Sequence, residues 1–225
     1  MFLLAISTSR LITAEAYMRN LEFDIFRLVR DTDICVDFAV IRQMLKSILK
    51  TISSPVIALE YPYKDNKLLI SLDTEDGVAH FYLDTFINEI QNNLDLSGDV
   101  AASVKFHDSK IIKHAMEVIC HGKNDSEIYL TFSTNRPMIY FTKDDPVTNL
   151  KVKVTIPYVE QVDSKVNKQM EKTYPAKVLK GISNFPKCRD IELRMHEEGI
   201  LQIEVSLSSD AFVRHFINPC DVIVE

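Results

Sequence analysis

The chain has 225 residues, of which 46% are hydrophobic, and its 32 acidic against 26 basic residues give a formal charge of −6. That length fits one large or two small domains with real cores. The negative balance excludes a protein that coats nucleic acid indiscriminately, while leaving room for local basic surfaces.

The opening MFLLAIST is apolar but far shorter than the ~20 residues that cross a bilayer. It lacks the cationic start and cleavage pattern of a signal peptide, so no membrane segment is expected and it reads as a buried strand. Further strands are expected at Ile12–Met18 and at Glu22–Val29, where Phe23, Ile25 and Leu28 alternate roughly with Glu22, Asp24 and Arg27. After a turn at Asp31-Thr32-Asp33, Ile34–Phe38 continues as strand. From Val40 the segment VIRQMLKSILKTI places Ile41, Met44, Leu45, Ile48 and Leu49 at helical spacing, so one face should lie on a sheet. Strands at about Val56–Tyr61, Leu68–Asp73 and Val78–Leu83 follow, separated by hairpin turns at Lys64-Asp65-Asn66 and Glu75-Asp76-Gly77.

Thr85–Asp99 breaks this pattern with Asn92-Asn93 and Ser97-Gly98 and reads as a connector. The expected division is a first domain over 1–84, a connector over 85–98 and a second domain over 99–225. Val100–Phe106 is again a strand, after which Ser109 is expected to cap the helix KIIKHAMEVICHG, with Gly122 just past its end. Strands are expected at Glu127–Phe132, Pro137–Phe141 and Leu150–Ile156. The polar stretch Gln161–Thr173 reads as a loop running into one edge strand. A helix over YPAKVLKGISNF precedes strands at Cys188–Met195, Leu201–Leu207 and Phe212–Ile217, with turns at Glu197-Glu198-Gly199 and Ser208-Ser209-Asp210. Hairpins in series imply antiparallel sheets, and the class is α+β.

The two halves end alike, with a helix and three strands in each. His80-Phe81-Tyr82-Leu83 matches Arg214-His215-Phe216-Ile217 at a constant separation of 134 residues (214 less 80, 217 less 83). Such self-similarity points to two copies of one unit. The first half lacks the opening strand and helix of the second.

Basic residues follow the helices. Arg42, Lys46 and Lys50 recur every four residues on the polar side of the first, Lys110 and Lys113 lie on the second, and Lys177 and Lys180 on the third. Such a face meets phosphates without reading sequence, although lysine on the wet side of any surface helix is ordinary. Glu117 and Glu171 interrupt the bias.

No catalytic or metal motif competes. His107, His114 and His121 are seven apart, two helical turns or ~10 Å, too far for ligands of one ion whose Zn–N bonds are ~2 Å. No GxxxxGK[ST], GxGxxG, HExxH or GxSxG occurs, and Asp31, Asp33, Asp73, Asp76, Asp144 and Asp145 fall in expected turns. Cys35, Cys120, Cys188 and Cys220 are far apart with no CxxC and read as reduced intracellular thiols. No metal and no cofactor is expected.

The order of elements, with the closing Phe212-Val213-Arg214-His215-Phe216-Ile217-Asn218-Pro219, resembles the PCNA-like DNA sliding clamps. Ser126-Glu127-Ile128, Arg136-Pro137-Met138-Ile139-Tyr140-Phe141 and Val166-Asn167-Lys168 ahead of Tyr174-Pro175 are most similar to the Rad-one subunit family of the nine-one-one checkpoint clamp. The resemblance implies two similar domains of antiparallel sheets with helices on one channel-lining face, the first domain lacking its initial strand and helix. It implies a non-catalytic, nuclear subunit that joins Rad-nine and Hus-one paralogues in a heterotrimeric ring, is placed on double-stranded DNA by a clamp loader, and recruits repair and checkpoint proteins. Arg42, Lys46, Lys50, Lys110, Lys113, Lys177 and Lys180 would face phosphates, and Phe86, Ile87 and Leu94 of the connector would dock partner peptides. A homotrimeric replication clamp, a 3′–5′ exonuclease and a β-rich scaffold are the rival readings.

Overall fold

A computed structural model describes residues 1–6, 12–30, 32, 34–48, 56–75, 77–86, 99–121, 126–135, 138–145, 150–156, 163–183 and 188–220. The chain opens with β1 (Phe2–Ile6) and β2 (Ile12–Met18), an antiparallel pair. Next come α1 (Phe38–Ile48) and an antiparallel three-stranded sheet of β3 (Val56–Tyr63), β4 (Lys67–Thr74) and β5 (Gly77–Leu83). The second half runs β6 (Val100–Phe106), α2 (Ser109–Ile119), β7 (Glu127–Ser133), β8 (Met138–Asp145), β9 (Leu150–Ile156), β10 (Asp163–Val166) and β11 (Met170–Pro175). It closes with α3 (Ala176–Ile182), β12 (Asp190–His196), β13 (Leu201–Ser206) and β14 (Ala211–Ile217).

Two compact units result. One comprises Met1–Phe26 with Asp95–Glu225, the other Arg27–Leu94. The division differs from the expected one at residue 84, for a hydrogen-bonding reason. β2 pairs with β14 along its whole length, Ile12 opposite Ile217 and Met18 opposite Ala211, so the chain's first strands extend a sheet built from its last ones. That sheet has seven strands in the order β1-β2-β14-β13-β12-β6-β10, and a second sheet in the same unit has the order β11-β7-β8-β9. Every described pairing is antiparallel, both in the serial hairpins and between the distant strands β2 and β14, β6 and β12, β6 and β10, and β7 and β11.

Alternation decides which face of each strand is buried. Ile191, Leu193 and Met195 of β12, Leu201, Ile203 and Val205 of β13, and Ile128, Leu130 and Phe132 of β7 join one core with Val104 and Phe106. The smaller unit buries Met44, Leu68, Ile70 and Leu83, with Val36, Ile41, Leu45, Tyr61 and Phe81 packed around them. Its turn at Lys64–Asn66 puts Asp65 and Asn66 at positive φ, 59° and 56°, a backbone that short polar side chains tolerate.

Several expectations are corrected. Glu22–Val29 is not a strand. Asn20–Glu22 forms a single 3₁₀ turn with Leu21 exposed in it, and beyond it Ile25 and Val29 stand exposed, because no described strand lies alongside to take their backbone hydrogen bonds. Ile34–Phe38 contributes only one bridge, Cys35 to Phe86, and α1 begins at Phe38. β1 is a strand, but it is the outermost one of its sheet, and Leu3 is 50% exposed. The cap of α2 is Asp108, whose carboxylate accepts from the Lys110 N–H at 2.8 Å, a role that its extended backbone permits. α3 starts at Ala176, since Tyr174 and Pro175 finish β11 against β7. Gln161–Thr173 holds β10 and most of β11 rather than one edge strand, and its polar residues are accommodated because both strands end their sheets. Strand β12 starts at Asp190, two residues after the expected Cys188. The expected turns at Asp31, Asp33 and Asp76 and the expected C′ residue Gly122 lie outside the described residues.

Candidate nucleic-acid interface

Each helix is amphipathic, and its cations sit away from the core. In α1, Met44 is buried and Ile41 and Leu45 pack against the small core, which leaves Arg42 and Lys46 exposed one turn apart. The Asp37 carboxylate accepts from the Ala39 N–H at 2.7 Å at the start of this helix. Lys50 lies outside the described residues. In α2, Ile112, Ala115, Met116 and Ile119 are buried; Lys110 is exposed and Lys113 half-buried. In α3, Ala176, Leu179 and Ile182 are buried while Lys177 and Lys180 are exposed.

α2 and α3 touch each other and lie on the same four-stranded sheet, α2 across β8 and β9 and α3 beside β11. Four lysines from two segments ~65 residues apart in sequence are thereby carried by adjacent helices of one unit. Among the described residues no carboxylate is ion-paired with Lys110, Lys113 or Lys177. His114 and Glu117 are also exposed on α2, so the surface is basic but mixed.

The seven-stranded sheet treats its cations differently. Arg194 makes two hydrogen bonds of 2.7 Å to Glu192 and reaches Glu204 at 3.6 Å, and Arg214 donates to Glu204 at 2.6 Å. Arg214 is also in register with Glu15 of β2. Burial would raise Glu192, but the bonds from Arg194 and Ser103 outweigh it and hold the carboxyl below its ordinary value. Its bond to Glu192 in turn pushes the Arg194 guanidinium up. This ladder is a feature that sequence reasoning missed. Its signal was the alternation Asp190-Glu192-Arg194 within an apolar strand, which puts three charges on one face.

The histidines do not converge. His107 follows the end of β6 and bonds through Nδ1 to Asp190, His114 is exposed on α2, and the carbonyl of His121 accepts from Lys143 Nζ at 3.0 Å. Asp190 is opposed by burial yet kept below its usual value by His107 and Lys105. No group of three or more His, Cys, Asp or Glu among the described residues is placed to hold a metal ion. A depression of about 300 Å³ on the outer face of the four-stranded sheet is lined by Tyr129, Thr142, Glu171 and Lys153, the last lying 4.2 Å from the centroid of Tyr140. Burial raises Cys120 to about 11, which leaves it a protonated core thiol.

Of the expected peptide-docking residues, Phe86 is 56% exposed, and its N–H donates to the Cys35 carbonyl at 2.9 Å. Ile87 and Leu94 lie outside the described residues. No described helix is long and apolar enough to cross a membrane. β5 and β9 end their sheets, each with one neighbour among the described residues, and expose Val78, Tyr82 and Leu150.

Antiparallel sheets bearing a few amphipathic helices, with a helix-and-three-strand plan repeated in two units, define a PCNA-like clamp fold. The solved PCNA2–PCNA3 complex from Sulfolobus tokodaii is similar to this chain at a TM-score of 0.80, over 97% of this chain and 85% of that one, with 13% sequence identity. No family model matches the chain. No curated protein matches it significantly.

Proposed function

We propose that this chain is a non-catalytic subunit of a ring-shaped sliding clamp, of the checkpoint type that pairs a Rad-one-like chain with Rad-nine-like and Hus-one-like paralogues. The observation that carries the reading is the set of lysines on the adjacent helices α2 and α3 of a clamp fold, with no carboxylate held against Lys110, Lys113 or Lys177 among the described residues. Unpaired ammonium groups on a helical surface gain binding free energy by releasing the counterions of duplex DNA, without selecting a sequence. A tether that slides needs contacts of that kind, and enclosure rather than affinity then prevents escape. Arg42 and Lys46 of α1, together with Lys50, which lies outside the described residues, belong to the same proposed phosphate-facing set. The edges of β5 and β9 support assembly by strand addition from neighbouring subunits. A clamp loader would close the ring, Phe86, Ile87 and Leu94 would dock partner peptides, and the address would be nuclear.

The test is co-expression with the two paralogous subunits, followed by mass measurement and binding to nicked circular duplex DNA. The expected product is one copy of each chain. Lys110→Glu, Lys113→Glu, Lys177→Glu and Lys180→Glu together should leave assembly intact while lowering DNA retention at least about tenfold. They should also flatten the salt dependence, by ~0.9 in log–log slope for each phosphate that is no longer neutralised. Self-assembly into a homotrimer favours the replication-clamp reading instead. Unchanged DNA retention refutes the role given to the lysines. Metal-dependent degradation of DNA by the purified chain, abolished by substitution of an Asp, would make it an exonuclease.

A further inference from the structure

The two acids of the α2 region differ in what local structure gains from them. Asp108 caps the start of the helix, where a carboxylate is favoured. Glu117 lies in the last turn, where the helix macrodipole disfavours an anion and no basic residue offsets it. Its side chain is exposed, and among the described residues it is ion-paired with none. The helix therefore gains nothing from Glu117.

The place of Glu117 on the helix is specific. Ile112, Ala115, Met116 and Ile119 face the core, so Lys110, Lys113, His114 and Glu117, three or four residues apart in turn, form one outward row. Lys113 precedes Glu117 by four residues, the weaker order for an ion pair within a helix. Beyond Glu117, Lys180 of α3 lies within electrostatic reach of Cys120, the residue that ends α2. The acid thus stands between the lysines of α2 and a lysine of α3.

We infer that Glu117 attenuates duplex affinity by dividing the lysine surface of α2 and α3 into two parts. This inference rests on the proposed function and deepens it, because it names a residue that sets how weakly that surface holds DNA. Side chains one turn apart have Cβ atoms ~5–6 Å apart, so a phosphate drawn to Lys113 approaches the Glu117 carboxylate to about 7 Å. In water the repulsion at that distance corresponds to a factor of about three in affinity. It fades as the Debye length falls from about 10 Å at 0.1 M salt to about 3 Å at 1 M. A repulsive charge inside an attractive row keeps each phosphate contact weak, and weak contacts let a clamp slide.

The test is fluorescence anisotropy of a labelled linear duplex of about 20 base pairs titrated with the full 225-residue chain, at salt from about 25 mM to about 0.5 M. A linear duplex reads surface affinity without enclosure. Glu117→Gln should tighten binding about threefold at the lowest salt, and Glu117→Lys about tenfold, with both gains lost at the highest. Lys113→Gln should weaken it. Thermal unfolding should give Glu117→Gln a Tm no lower than that of the native chain, since an acid leaves the wrong end of a helix. If Lys113→Gln weakens binding while Glu117→Gln leaves it unchanged or weakens it, the inference fails and the lysine surface stands. A Tm lowered by Glu117→Gln would mark a structural role and overturn the inference as well. A duplex that is not bound, or that responds to none of the variants, refutes the lysine surface and the inference together.

Discussion

Replacing Tyr174 by Phe should destabilise the larger unit measurably while changing almost no volume. Tyr174 is 0% exposed at the end of β11, and its hydroxyl donates to the Gly199 carbonyl at 2.6 Å. Gly199 lies in the turn between β12 and β13, so this one bond ties the four-stranded sheet to the seven-stranded one. It sits one residue before Pro175, where α3 is launched, and therefore helps to place Lys177 and Lys180. Burial, reinforced by Cys220, pushes the phenol far upward, so it remains a neutral donor at any working pH. In the Phe variant the ring still fills its place and the cavity term is small. The Gly199 carbonyl, however, loses its donor where water does not replace it, at a cost of about 1–3 kcal/mol. For a chain of this size each kcal/mol corresponds to roughly 2–4 °C in Tm. Urea unfolding followed by circular dichroism should show a lower midpoint at unchanged slope. A loss below about 0.5 kcal/mol would mean that another donor serves Gly199, and the tie between the sheets would have to be sought elsewhere.

The same turn holds Gly199 at φ 87°, and a Cβ there would come within 2.8 Å of Lys172 Cε. Because that side chain can move aside, the backbone sets the cost of Gly199→Ala, about 1–3 kcal/mol by urea midpoint. Met116→Ala, at a site with 0% exposure on the buried face of α2, should cost about 2–5 kcal/mol and raise amide exchange in that helix before the sheets open. Burial depresses His215 below its ordinary 6.5, and its buried Nδ1 has no hydrogen-bond partner among the described residues. The unfolded chain therefore takes up the proton first on acidification. This contribution is fully present above about pH 6.5 and declines as pH falls below it, and His215→Phe should flatten that part of a stability profile measured between about pH 8 and about pH 5. Greater stability of the native chain towards acid over that window would contradict the assignment.

Much of the fold was legible because its signals are local. The strands β3, β4 and β5 and their counterparts β12, β13 and β14 are short apolar-rich runs, and turn residues such as Asp65, Asn66, Gly77 and Gly199 occupy positive φ where strands reverse. The helices were legible from the 3.6-residue spacing of Met44 with Ile41 and of Ile112 with Ala115, Met116 and Ile119. What failed is non-local. Glu22–Val29 has a strand's alternation, but alternation becomes a strand only where a neighbouring edge accepts its backbone bonds. The pairing of β2 with β14 joins residues about 200 apart, and no periodicity encodes it. Nor did composition announce the tie between Tyr174 and Gly199, which depends on where two sheets meet.

The proposed phosphate-facing surface is compatible with a formal charge of −6 because this chain commits its charges unevenly. Arg194 and Arg214 are locked in the half-buried ladder with Glu192 and Glu204, where removing one member would leave a partly buried partner uncompensated. Those guanidiniums are therefore not available to an incoming phosphate. Lys110, Lys113 and Lys177 have no such carboxylate among the described residues, and their long stems leave the ammonium groups near water. An approaching duplex would respond to the uncommitted cations within a Debye length of about 8 Å rather than to the molecule's total charge. The net negative balance still acts at longer range, where it opposes indiscriminate binding by the outer surface. Under the proposed function, weak local attraction combined with global repulsion is what a subunit held on DNA by topology requires, and it would follow from which side chains are paired rather than from how many of each sign there are.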